Sequence, residues 1–132
     1  MSGDGAAPRV LLVDDNHGFR NELRLLLEDC GMEVVAEGEN GQEAVELASR
    51  GDADVVLMDL RMPVMDGLEA ARALRDRVPA LPVIIMSAYE DAALNSEADA
   101  ANAYLVKGCS GGLVLDTIEQ AWASRPGPGV PG

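Results

Sequence analysis

Four short apolar runs in this chain each stop on a residue able to do ionic or hydrogen-bonding chemistry. Val10-Leu11-Leu12-Val13 runs into Asp14-Asp15, and Val55-Val56-Leu57-Met58 into Asp59. Val83-Ile84-Ile85-Met86 runs into Ser87, and Ala103-Tyr104-Leu105-Val106 into Lys107, the only lysine in the chain. Runs of this length, rich in Val and Ile and bounded by turn signals, read as strands buried on both faces of a parallel sheet. In an open parallel sheet, ligands bind beyond the carboxyl ends of the strands. The pattern therefore predicts three carboxylates, a hydroxyl and an ammonium on one rim.

Between the runs lie helical periods, the alternation that marks βαβ units. The spacing predicts a helix from His17 to Asp29 with Phe19, Leu23, Leu26, Leu27 and Cys30 inward, ended by Gly31 as a left-handed cap. Met32 to Glu37 is a more polar strand, expected nearer an edge. Asn40 with Glu43, and Asp66 with Glu69, are capping-box signals for two further helices. A fourth helix, expected over Glu90 to Ala101, is short or weak because Leu94 is its only large apolar residue. The last helix, about Gly112 to Ser124, should bury Leu113, Val114, Ile118 and Ala121. The expected fold is an α/β, doubly wound, five-stranded parallel sheet in the order 2-1-3-4-5, with helices on both faces and right-handed crossovers. Residues 9–124 form the domain, 1–8 a flexible N-terminus, and 125–132 a Pro/Gly-rich linker stub or disordered tail.

Composition narrows the function. A net charge of −13 repels phosphate backbones, and the arginines form no stripe, so direct nucleic-acid binding is not expected. No apolar stretch reaches membrane-spanning length, and no hydrophobic signal segment precedes Pro8, which points to the cytoplasm. Cys30 and Cys109 fall in different elements and read as reduced thiols.

Carboxylates gathered at one rim repel one another, so without a counter-charge at least one pKa must rise. A site of oxygen ligands suits a hard cation, Mg²⁺ before Ca²⁺. Asp15 and Asp59 are the expected direct ligands, with Asp14 acting through a bound water. With that charge neutralised, a carboxylate can attack phosphorus and form an acyl phosphate. Asp59, on the central strand, is the expected acceptor. Lys107 is a mobile point charge suited to phosphoryl oxygens, and Ser87 a hydroxyl donor.

Leu12-Val13-Asp14-Asp15, Met58-Asp59-Leu60-Arg61-Met62-Pro63, Met65-Asp66-Gly67, Met86-Ser87-Ala88 and Tyr104-Leu105-Val106-Lys107-Gly108 follow one another in this order. Together they make the chain resemble the receiver domain of two-component response regulators, a flavodoxin-like fold, over nearly its whole length to about Ser124. The resemblance implies that Asp59 takes a phosphoryl group from a histidine kinase or phosphotransfer protein. It implies that Asp14, Asp15, Asp59 and the backbone carbonyl of Arg61 organise Mg²⁺. Ser87 and Lys107 would then follow the new phosphate while Tyr104 turns inward. The face made by the fourth helix, fifth strand and fifth helix of the expected fold would change its preference for an output domain or partner, a homodimer among the options. Asn40-Gly41-Gln42-Glu43-Ala44 and Asp59-Leu60-Arg61-Met62-Pro63 look most like regulators with a helix-turn-helix output domain. Such a chain is a switch and not a turnover enzyme on an external substrate.

Two features depart from the family pattern. The interval from Ser87 to Tyr104 is shorter, and Ala100-Ala101 replaces the usual Gly-Ala. Both touch the weak fourth helix, and with it the output face. Three other readings compete. An aspartyl-phosphate phosphatase would want a second aspartate where Arg61 stands. A flavin or nucleotide binder would need a phosphate loop where Asp14-Asp15 stands. A degenerate receiver would signal by binding without phosphorylation.

Overall fold

A computed structural model of the chain describes residues 7–88 and 100–124. The fourth helix expected over Glu90 to Ala101 falls almost wholly outside the described residues, as does the tail after Ser124. The strands are β1 (Arg9–Val13), β2 (Glu33–Gly38), β3 (Val55–Asp59), β4 (Val83–Ser87) and β5 (Ala103–Val106). The helices are α1 (His17–Asp29), α2 (Gly41–Ala48), α3 (Gly67–Arg77) and α4 (Gly111–Ala123). All strand pairs are parallel and lie in the order β2-β1-β3-β4-β5, so β1 and β3 are neighbours as expected.

The apolar runs look uniform in sequence, but the pleat divides them between two cores. Leu11, Val13, Val56, Met58, Val83 and Ile85 face α2 and α3, where they pack with Ala44, Val45, Ala71 and Leu74. Val10, Leu12, Val55, Leu57, Ile84 and Met86 face α1 and α4, where they meet Leu23, Leu27, Val114 and Ile118. β3 and β4 are buried along their whole length, while β2, at an edge, is only partly covered.

The end of α1 shows why one expected inward residue is not buried. Cys30 keeps the helical spacing of Leu23 but is exposed. It is the C-cap, and the chain leaves the helix there through Gly31 at φ 88°. The Gly31 N–H then donates to the Glu28 carbonyl, and the Met32 N–H to the Leu27 carbonyl at 3.0 Å. This is a Schellman closure, and Met32 takes the apolar place that Cys30 vacates. Leu113 is likewise 48% exposed. Val114 and Ile118, one turn apart, aim at the sheet, and Leu113 sits about 100° off that line.

The capping signals locate the helix starts. The Asp66 carboxylate accepts from the Glu69 N–H at 2.8 Å and the Glu69 carboxylate accepts from the Asp66 N–H at 3.1 Å, a complete box. At α2 the box is skewed: Asn40 accepts from the Glu43 N–H, but Glu43 reaches the Glu39 N–H instead of that of Asn40. Asp66→Ala is expected to cost about 1 kcal/mol, read as a drop in melting temperature, because the Glu69 N–H at the start of α3 loses its acceptor. A variant as stable as the parent would show that these end groups are satisfied by water alone.

Candidate functional site

The parallel register brings the predicted residues to one rim. Asp14 follows the last residue of β1, and its N–H donates to the Gly38 carbonyl of β2 at 3.0 Å. Asp59 closes β3, Ser87 closes β4 and Lys107 follows β5. Carboxylate oxygens of Asp14, Asp15 and Asp59 lie within 4.8 Å of one another. Asp14 and Asp59 are buried and Asp15 is exposed.

Lys107 joins the two buried acids. Its Nζ is 3.0 Å from Asp14 Oδ2 and 3.3 Å from Asp59 Oδ1. It also lies 4.6 Å from the centre of the Phe19 ring on α1. Asp14 accepts a further hydrogen bond from the Asn16 N–H at 2.9 Å. Asp59 receives one from the Arg61 N–H. Burial and then the nearby Asp14 charge push the Asp59 carboxyl up to about 6, against the pull of Lys107 and Arg61. Burial alone would lower the Lys107 pKa, but its bonds to Asp14 and Asp59 outweigh burial and raise it. The Asp14 charge thus adds to burial in holding the Asp59 carboxyl above its ordinary value.

Two hydroxyls nearby have unmet hydrogen-bonding capacity. Ser87 is fully buried, and neither its Oγ nor the Tyr104 hydroxyl has a hydrogen-bond partner among the described residues. A buried hydroxyl without a partner costs free energy that an incoming oxygen-rich ligand would recover. Tyr104 lies opposite Ile85, and the Lys107 N–H donates to the Ser87 carbonyl at 2.8 Å, so β4 and β5 carry these groups in fixed register.

The loop after Asp59 is held by backbone contacts. The Gly67 N–H donates to the Leu60 carbonyl at 2.8 Å, and the Gly41 N–H to the Met65 carbonyl at 2.9 Å. Gly67 sits so close that a Cβ there would overlap the Asp59 carbonyl oxygen and stand 3.0 Å from Leu60 Cα. Within the same loop Val64 has a φ of 71° and is 76% exposed, a strained conformation for a β-branched residue.

One charged residue close to the site is not signalled by the sequence pattern. Arg20 is buried on α1 and donates to the Asp14 carbonyl, the Gly38 carbonyl and, at 2.8 Å, Glu37. It also contacts His17 Nδ1 at 3.0 Å. It ties the ends of β1 and β2 to the start of α1, directly behind the acidic pair. An arginine one residue after Phe19 looks like the solvated face of an amphipathic helix, and only the two strand-end carbonyls reveal otherwise. No helix among the described residues is long and apolar enough to cross a membrane.

This fold recurs in known proteins. A solved receiver domain of a response regulator, NarL from Mycobacterium tuberculosis, superposes with a TM-score of 0.82 at 29% identity, covering 90% of this chain and 98% of that one. The transcriptional regulatory protein PdtaR of M. tuberculosis is 40% identical over 121 residues, which are 89% of this chain and 58% of PdtaR. A protein-glutamate methylesterase/protein-glutamine glutaminase of Hahella chejuensis is 44% identical over 80 residues, or 61% of this chain and 23% of that protein. The chain thus spans only part of the length of these curated relatives. Residues 10–119 match the family described as the response regulator receiver domain, and the chain belongs to that family.

Proposed function

We propose that this domain is a phosphoacceptor switch in two-component signalling, with Asp59 as the residue modified. The observation that carries the reading is the joining of Asp14, Asp59 and Lys107 at 3.0 and 3.3 Å, with Asp15 alongside. The donor set fits Mg²⁺: three carboxylates whose oxygens gather within 4.8 Å, with no nitrogen or sulfur ligand in the group. Asp15 and Asp59 would hold it directly, with Asp14 through water and the Arg61 carbonyl completing the set. When bound, it neutralises the carboxylates and draws charge from the phosphoryl oxygens.

The chain's own groups divide the remaining work. A folded pKa of about 6 leaves Asp59 largely ionised at neutral pH, so an oxygen lone pair is available to attack phosphorus. The bond from phosphorus to the donor breaks as the bond to the Asp59 oxygen forms. Lys107 offers its ammonium to the phosphoryl oxygens and Ser87 its hydroxyl, which has no partner among the described residues. Tyr104, whose hydroxyl likewise has none among the described residues, would follow Ser87 inward and alter the face around β5 and α4. The donor would be a histidine kinase or phosphotransfer protein, and the listener an output domain, with helix-turn-helix regulators as the closest pattern. The domain itself turns over no external substrate, and its setting is the cytoplasm.

The test is a mass measurement on protein incubated with acetyl phosphate and Mg²⁺. One added phosphoryl group is expected, and none with EDTA or in Asp59→Asn. An unmodified wild-type mass at saturating donor would instead support the degenerate receiver.

A further inference from the structure

We infer that Phe19 is a positioning residue for Lys107, acting through the face of its ring; this rests on the reading of Asp59 as phosphoacceptor. A lysine ammonium on a flexible four-carbon stem needs partners to stay in one place. Among the described residues it has three: Asp14, Asp59 and the Phe19 ring at 4.6 Å. That distance is within the reach of a cation–π attraction, which is stronger when water is partly excluded. Phe19 is half-buried, and its ring packs against the core between α1 and α4.

The three partners differ in what happens to them during the reaction. Asp14 and Asp59 are the acids whose charge a cation and a phosphoryl group would take up. The ring binds no metal, takes no phosphate and has no proton to lose. It is therefore the contact whose strength stays the same before and after modification. Its place is also fixed locally. Asn16 accepts from the Phe19 N–H at 2.9 Å, and the next residue, Arg20, ties the same turn of α1 to the Asp14 carbonyl. Phe19 thus keeps the ammonium at the rim while its acidic partners change.

Lys107 being the chain's only lysine makes the test direct. Protein labelled with ¹³C-lysine gives a single ε-methylene signal. In wild type that signal is expected upfield, shifted by the ring current. Phe19→Leu should return it to the ordinary position, and Phe19→Trp should keep it upfield. With acetyl phosphate and Mg²⁺, Phe19→Leu should lower the maximal rate of phosphoryl uptake about three- to tenfold, with the donor concentration at half-maximal rate unchanged, and Phe19→Trp should restore the rate. An unshifted wild-type signal, or equal rates in the Leu and Trp variants, overturns the inference. A wild type that keeps the upfield signal but takes no phosphoryl group overturns the functional reading while supporting the ring as the seat of Lys107.

Discussion

Gly67→Ala is expected to destabilise the domain by about 3 kcal/mol and to lower its melting temperature by on the order of 10 °C. The added methyl would meet the Asp59 carbonyl oxygen and Leu60 Cα, which are backbone atoms. A flexible side chain could swing aside, but a strand end paired with its neighbour cannot. The Leu60 N–H donates to the Met86 carbonyl at 2.9 Å, so pushing this segment also strains its pairing with β4. Relief has to come from moving α3 or from displacing Asp59 itself. Phosphoryl uptake should therefore fall along with stability. Gly112→Ala is the matched control. Its Cβ would meet only Ser110 Oγ, at 4.0 Å, and the residue lies in α4. Removing a helical glycine there should leave stability unchanged or raise it by up to about 1 kcal/mol. Equal melting temperatures for Gly67→Ala and wild type would show that the close approach does not anchor Asp59.

The second large effect concerns charge. Without divalent metal, Asp59→Asn is expected to be more stable than wild type by about 2 kcal/mol at pH 7.5. The Asp59 carboxyl titrates at about 6 in the folded state, against an ordinary value of 3.8. Between those values the native state holds a proton that the unfolded chain has lost. Raising the pH through that window therefore favours unfolding, and the loss is complete above about pH 6. Asparagine has no such proton. Melting curves of wild type and variant should converge near pH 4 and separate as the pH rises. Mg²⁺ should stabilise the wild type more than the variant, which lacks one of the proposed ligands. If Asp59→Asn melted below the wild type at pH 7.5, the Lys107 pair would outweigh the cost of burial and of the neighbouring Asp14 charge.

These two residues mark the limits of what the sequence alone reveals. The strands, their order and the gathering of residues 14, 15, 59, 87 and 107 were legible because a parallel sheet turns strand ends into a shared edge. The N-caps Asn40 and Asp66, and the full box at Asp66 and Glu69, were legible because the side chain that closes a helix lies within four residues of the group it satisfies. Gly67 against Asp59 was not, since it is an approach of backbone to backbone and leaves no trace in side-chain chemistry. Arg20 was hidden because its partners, the Asp14 and Gly38 carbonyls and the Glu37 carboxylate, are brought to it only by the pairing of β1 with β2. Phe19 was correctly placed on the inner face of α1, but hydrophobic spacing does not say which atoms a ring will face. Val64 gave no signal either, because a β-branched residue is not one that marks a left-handed backbone.

The ordering of β1, β3 and β5 bears on how such a protein is made. Asp14, Asp15 and Asp59 leave the ribosome before Lys107 has been synthesised. A growing chain therefore possesses the repulsion well ahead of the cation that offsets it, and an unfinished receiver has little reason to close its rim. The rim should therefore close only once the segment that carries Lys107 has been made.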